Sequence, residues 1–327
     1  MNQQAKPTVG FIGLGIMGAA MASNLQKAGF QLVVNDIRRE AAAPHLAVGA
    51  VWADTARAVA EQSDVVFTCL PNLHVIEEVT LGTDGVLAGM RPGQALFETS
   101  TSTPELIKRL HAAFAVRGAH MLDAPISGGA LGAKRARLAI WVGGDKASYD
   151  RYQPVLKAMG DKPVHVGAIG SGMVTKLVHN CTSQATQAAI AEIFVLGVKA
   201  GAEPLALWEA VRQGSIGRRR TFDGLVDEFL PAKYEPPNAA LRIIQKDMMI
   251  ATELGRELGV PMRFSNLALA DIQEAMNRGW SERDCRSVML LPQERAGVSI
   301  KVDPAAIEDV LRRDPPAQTD TKRGTGN

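Results

Sequence analysis

Three groups of residues in this 327-residue chain have types and spacings suited to chemistry. The first is a glycine loop, Gly13-Leu14-Gly15-Ile16-Met17-Gly18, which fits G-x-G-x-x-G between an apolar run and a helical pattern. Gly13 permits a tight turn, Gly15 removes the side chain that would block a pyrophosphate, and Gly18 lets helix and strand pack closely. The helix opening there offers free N–H groups and a positive dipole end to phosphates. Asp36, 21 positions beyond Gly15 at the end of the next apolar run, is placed to accept from adenosine ribose hydroxyls. A lone glycine motif would be an ordinary turn, but this combination predicts dinucleotide binding. Asp36 would repel a 2′-phosphate, which favours NAD over NADP. Arg38 and Arg39 pull the other way, since a nearby arginine accommodates that phosphate; the pair also fits a solvated surface.

The second group is Ser127-Gly128-Gly129, which follows another apolar run. Its exposed N–H groups and hydroxyl suit a carboxylate, although a Gly-Gly turn alone would look the same. The third is Lys176 and Asn180, four apart on a helical pattern and so on one face. A lysine moves a hydroxyl proton if burial or a neighbouring cation lowers its pKa. A solvated surface lysine is the plainer reading of the residue alone. His179 is a rival proton carrier, though a histidine on such a helix usually packs or caps. The six histidines are scattered, with no HExxH or carboxylate cluster, so no metal is expected.

These groups need elements to hold them. Val9–Ile12, 31–35, 65–70 and 94–98 read as strands. The helical patterns between and after them are 18–28, 57–61, Leu73–Leu81 and 103–117. Further strands are expected at His120–Asp123, 138–143 and 164–166. Such alternation implies crossover units and a mostly parallel sheet covered on both faces. After Gly172 the strand signals fade. Helical patterns cover 173–201, 205–212, 221–230, 239–258 and 266–278. The expected organisation is a dinucleotide-binding domain over 1–169, an all-helical substrate or dimerisation domain over 170–313, and a Pro-, Thr- and Gly-rich disordered tail over 314–327.

Composition narrows the function classes. A hydrophobic fraction of 46% with 21% charged residues excludes disorder of the whole chain. A net charge of +2 argues against a nucleic-acid partner. Cys69, Cys181 and Cys285 are odd in number and far apart, which fits free thiols in a reducing cytosol. Residues 1–8 are polar and lack the apolar core of a signal peptide, and no stretch approaches the ~20 apolar residues of a membrane span. A cytoplasmic location is the expectation.

The segment from Gly13 to Leu25 and Gly29 resembles the N-terminal signature of the β-hydroxyacid dehydrogenases, the 3-hydroxyisobutyrate dehydrogenase and tartronate semialdehyde reductase type. Three more blocks are similar in the right order. They are Asp123-Ala-Pro-Ile-Ser-Gly-Gly-Ala-Leu-Gly-Ala133, Gly170-Ser-Gly-Met-Val-Thr-Lys-Leu-Val-His-Asn180 and Lys246-Asp247-Met248. The resemblance spans about residues 8 to 290. It implies a doubly wound Rossmann domain followed by an all-α domain. The implied activity is NAD(P)-dependent interconversion of a β-hydroxyacid and its semialdehyde, with Lys176 as general acid/base. Ser127, Gly128, Gly129 and Asn180 would hold the substrate; Leu70, Pro71 and Thr101 would contact the cofactor, and Lys246 would close over it. A homodimer or homotetramer is implied.

The chain departs from the pattern at Ala136, where the family usually has glycine, and at Glu98, where an Asp often stands. The departure at Ala136 bears on the loop geometry near the carboxylate site. Arg218, Arg219 and Arg220 follow a Gly-Ser-Ile-Gly turn and fit surface charge. One of them aimed into a cleft would bind a second anionic group, which would suit a dicarboxylic hydroxyacid. Two competing classes share the fold: an imine reductase and a non-catalytic NAD-binding scaffold. Both would be expected to lack a lysine at 176.

Overall fold

The computed structural model describes residues 6–199, 201–213, 223–257 and 262–313. Arg218–Arg220 and the expected tail over 314–327 lie outside the described residues. The chain divides into two compact units, Met1–Asn180 and Cys181–Asn327.

The first unit is an α/β domain. Its strands are β1 (Val9–Ile12), β2 (Leu32–Asn35), β3 (Val51–Trp52), β4 (Val65–Thr68), β5 (Ala95–Glu98), β6 (His120–Asp123), β7 (Ile126–Ser127), β8 (Ala139–Gly143) and β9 (Lys162–Gly167). Its helices are α1 (Ile16–Lys27), α2 (Ala43–Leu46), α3 (Ala56–Glu61), α4 (Leu73–Leu81), α5 (Val86–Gly89), α6 (Pro104–Val116), α7 (Gly129–Lys134) and α8 (Lys146–Met159). The strands join one sheet in the order β3-β2-β1-β4-β5-β6-β8-β7, with β9 beside β8. Pairing is parallel from β3 to β6; β8 then runs antiparallel to β6 and β7, while β9 is parallel to β8. Strand order reverses at β1 and β4, and ligands bind outside the carboxyl ends of the strands at such a point.

The strand sequences explain the layering. Val9-Gly-Phe-Ile, Val65-Val-Phe-Thr and Ala95-Leu-Phe-Glu are buried on both faces, as parallel strands under helices must be. Phe11, Phe67 and Phe97 face one layer with Met21, Leu25, Tyr152 and Leu156, while Ile12, Val66 and Leu96 face the other with Val59, Ile107 and Phe114. The three phenylalanines stand opposite one another across β1, β4 and β5. Their rings stack at 6.4 and 5.0 Å with planes within 11°.

Helix α8 was not among the expected elements. Asp145 caps it by accepting from the Ser148 N–H, and Tyr149, Tyr152, Val155, Leu156 and Met159 form its buried stripe. Pro154 inside it masks the signal.

Helix α9 (Ser171–Lys199) begins in the first unit and continues into the second. The described part of the second unit is helical, with α10 (Pro204–Gln213), α11 (Leu241–Glu257), α12 (Arg263–Asn277), α13 (Leu290–Ala296) and α14 (Pro304–Arg313). The helix expected over 221–230 is not formed over its described part: Asp223–Val226 is a single 3₁₀ turn followed by further turns. Gly224 weakens a helix there and Pro231 disfavours the helical conformation of the residue before it.

Candidate active site

The glycine loop joins β1 to α1 at the carboxyl edge of the sheet. Gly13 has φ +92°, and a Cβ there would stand 2.2 Å from the Cys69 carbonyl oxygen. At Gly18 a Cβ would fall 1.9 Å from the Gly13 carbonyl oxygen. Both positions are closed to any side chain. At Gly15 a Cβ would meet nothing within 4 Å, so the missing side chain leaves open space in front of the start of α1. Gly15 caps α1 with no side chain, and Ile16 beside it is exposed. A bare N-terminus of a 12-residue helix beside an open glycine fits a dinucleotide pyrophosphate.

Asp36 follows β2 and is tied to this loop. Its Oδ2 accepts from the Leu14 N–H at 2.6 Å and its Oδ1 from the Arg38 N–H at 2.8 Å. The carboxylate therefore sets the loop's shape besides any ribose contact. Arg38 is solvent-exposed with its Nε 3.9 Å from Asp36, and the Arg39 guanidinium lies over the Trp52 ring at 5.3 Å.

The loops after β4 and β5 are fastened by Glu98, which the sequence marks only as a departure from the family pattern. Glu98 is fully buried at the end of β5. It accepts from the Thr68 hydroxyl and from the Ser100 N–H, both at 2.7 Å. The Ser100 hydroxyl in turn accepts from the Leu70 N–H at 2.6 Å. Leu70, Pro71 and Thr101 thus sit on loops held at the same edge as the glycine loop, through hydrogen bonds linking β4 and β5.

After β6 the chain passes Ser127 of β7, which pairs with Ala139 of β8, and reaches Gly128 at φ +139° and Gly129 at φ +61°. Two successive positive φ values favour glycine strongly. Helix α7 then ends with the Ala136 N–H donating to the Ala133 carbonyl and the Arg137 N–H to Gly132. That is a Schellman ending with Ala136 in the left-handed position at φ +53°. The departure at 136 is thus accommodated by strain, with the turn kept.

Lys176 and Asn180 occupy the first turns of α9. Lys176 is half-buried and Asn180 is buried. The Asn180 Oδ1 lies 3.0 Å from Nδ1 of His179, whose ring packs against Trp141 at 5.2 Å. A second residue absent from the candidates fixes the start of this helix. Asp123, at the end of β6, accepts from the Gly170 and Met173 N–H groups. Burial pushes its carboxyl above the usual range, against the pull of these N–H bonds. One signal could have found both Glu98 and Asp123: a carboxylate closing an otherwise apolar strand. Lys246 lies on α11 in the second unit, its ammonium 3.4 Å from the buried Asp247 carboxylate.

Residues 8–170 match the family model described as the NAD binding domain of 6-phosphogluconate dehydrogenase. Residues 170–291 match the one described as NAD-binding of NADP-dependent 3-hydroxyisobutyrate dehydrogenase. The 2-(hydroxymethyl)glutarate dehydrogenase of Eubacterium barkeri is 33% identical, over 89% of this chain and 97% of the relative. The chain belongs to the β-hydroxyacid dehydrogenase family. A β-hydroxyacid dehydrogenase is a nicotinamide-dependent oxidoreductase, and this one carries both family domains in order. A 3-hydroxyisobutyrate dehydrogenase from Mycobacterium tuberculosis, solved with L-serine, superposes with a TM-score of 0.79. It is 30% identical and covers 88% of this chain and 99% of its own. An imine reductase from Myxococcus stipitatus shares the fold at 20% identity and a TM-score of 0.61, over 88% of this chain and 100% of its own. Among the described residues, no helix is long and apolar enough to cross a membrane.

Proposed function

We propose that this enzyme interconverts a β-hydroxyacid and its semialdehyde, with NAD preferred over NADP and Lys176 as the general acid/base. The observation that carries the reading is the convergence on one sheet edge. The open glycine loop after β1, the Ser127–Gly129 loop after β6 and the first turn of α9 all stand there, the last joined to β6 through Asp123.

A nicotinamide bound along this edge supplies the hydride acceptor at its C4. The glycine loop Gly13–Gly18 holds the pyrophosphate, and Asp36, Leu70, Pro71 and Thr101 line the riboses. The Ser127 hydroxyl and the N–H groups of Gly128 and Gly129 take the substrate carboxylate. Asn180 holds the same carboxylate or the reacting hydroxyl. The neutral Lys176 amine takes the hydroxyl proton as the carbonyl forms, and its ammonium returns that proton when the semialdehyde is reduced. Lys246, on α11, is the further cofactor contact that the family resemblance implies.

The NAD preference rests on Asp36, a carboxylate fixed by two N–H groups where a 2′-phosphate would have to sit. Arg39, which lies over Trp52, is already engaged. We also place the enzyme in the cytoplasm as a homo-oligomer; the unbridged Cys69, Cys181 and Cys285 support a reducing compartment.

An initial-rate screen tests the reading. It covers 3-hydroxyisobutyrate, glycerate, 4-hydroxybutyrate and 2-(hydroxymethyl)glutarate, each with NAD and NADP, beside Lys176→Ala. At least one acid is oxidised with NAD favoured, and Lys176→Ala loses roughly 10²–10⁴-fold in kcat. Reduction of a cyclic imine with no hydroxyacid oxidised would reverse the assignment.

A further inference from the structure

The reaction above makes no direct use of Asp123, yet the structure spends a great deal on it. The carboxylate is fully buried at the end of β6. Oδ1 accepts from the Gly170 N–H at 2.7 Å and Oδ2 from the Met173 N–H at 2.7 Å. Two glycines make its room. A Cβ at Gly143 would stand 2.4 Å from Oδ1, and one at Gly172 would stand 2.8 Å from Oδ2. An apolar side chain would fill the space without the cost of burying a charged group. What it would lack is the ability to accept from the opening N–H groups of α9, which carry the positive end of the helix dipole.

We propose that Asp123 is a positioning residue that seats the first turn of α9 and so holds Lys176 in register with the substrate loop. This rests on the reading of Lys176 above. Lys176 follows Met173 by three residues, about one helical turn. A slip or rotation of that turn carries the amine with it. In the other direction, Ser127 follows Asp123 by four residues through the end of β6. One carboxylate thus ties the root of the anion loop to the root of the helix bearing the acid/base.

Asp123→Asn keeps the shape but sets an amide N–H₂ against one backbone N–H. Asp123→Glu keeps the charge and moves it by one methylene, so the test survives if the first variant fails to fold. Leu110→Ala, on the buried face of α6, controls for simple loss of stability. In both test variants kcat falls about 100-fold, the scale of a misplacement near 1 Å. The KM for the hydroxyacid and the affinity for NADH stay within about threefold, and Leu110→Ala keeps its kcat below its melting temperature. Placed on Lys176→Ala, Asp123→Asn costs less than about threefold, because its effect runs through Lys176. Amide exchange rises over residues 170–176 and stays unchanged over α1. A wild-type kcat in both test variants, an additive loss on Lys176→Ala, or unchanged exchange over 170–176 would overturn the proposal. A fully active Lys176→Ala would instead sink the acid/base reading. Exchange over 170–176 would then decide whether Asp123 seats the helix.

Discussion

In the first unit, Asp123 and Glu98 end strands β6 and β5 and take their hydrogen bonds from backbone N–H and hydroxyl groups. In the second, Glu228 meets Arg286, and Asp223 lies 2.9 Å from Nε of the buried Arg212. The difference follows from the backbone. Where strands end and helices begin, N–H groups without intrahelical partners converge, and a carboxylate is satisfied by the fold itself. Asp223 and Glu228 stand in the 3₁₀ turn and the turns that follow it, and each is held by a side-chain cation, Arg212 or Arg286. Asp284 follows the same rule from the other side. It sits in a loop of the second unit and accepts from the N–H groups of Asn238, Ala239 and Arg286.

The largest expected effect comes from breaking a side-chain-held site. Arg286→Leu leaves Glu228 buried without its cation, at a cost of about 3–5 kcal/mol at pH 8 in urea unfolding. The same variant loses less at pH 5, where the carboxyl is protonated. Next comes the pH slope of the intact pair. Burial, the leading cause, pushes the Glu228 carboxyl from 4.5 up to about 7, against the pull of Arg286. Between those values the folded form keeps a proton that the unfolded form releases. The stability this group contributes is therefore complete below pH 4.5 and is lost as pH rises through about 7. Glu228→Gln flattens that part of a melting-temperature profile taken from pH 4 to 8; an identical slope in both proteins would contradict it. The smallest effect probes backbone geometry. Ala136→Gly relieves the left-handed φ at the end of α7 and raises stability by about 1 kcal/mol, read as a higher melting temperature.

Residues governed by local sterics were legible in the sequence. Gly13 and Gly18 admit no Cβ, so their spacing recurs wherever this turn is built. The strands around them are short apolar runs with clear ends. The family resemblance supplied Lys176 and the ordering of the blocks, which the lysine alone did not. Asp123 escaped because its partners Gly170 and Met173 lie 47 and 50 positions away, beyond any local pattern. Glu98 escaped in the same manner, its Thr68 partner being 30 positions back. Helix α8 was hidden by Pro154, although its aromatic stripe has helical spacing. The 221–230 segment erred the other way: apolar spacing suggested a helix, and Gly224 with Pro231 prevailed over the described residues.

The stacked Phe11, Phe67 and Phe97 lie one residue short of the ends of β1, β4 and β5. A slip by one residue in any of these strands would turn its ring to the opposite layer. The aromatic row acts as a ruler that keeps three strand ends level. The loops that follow these three strands start from one level, so the ledge beneath the dinucleotide stays flush.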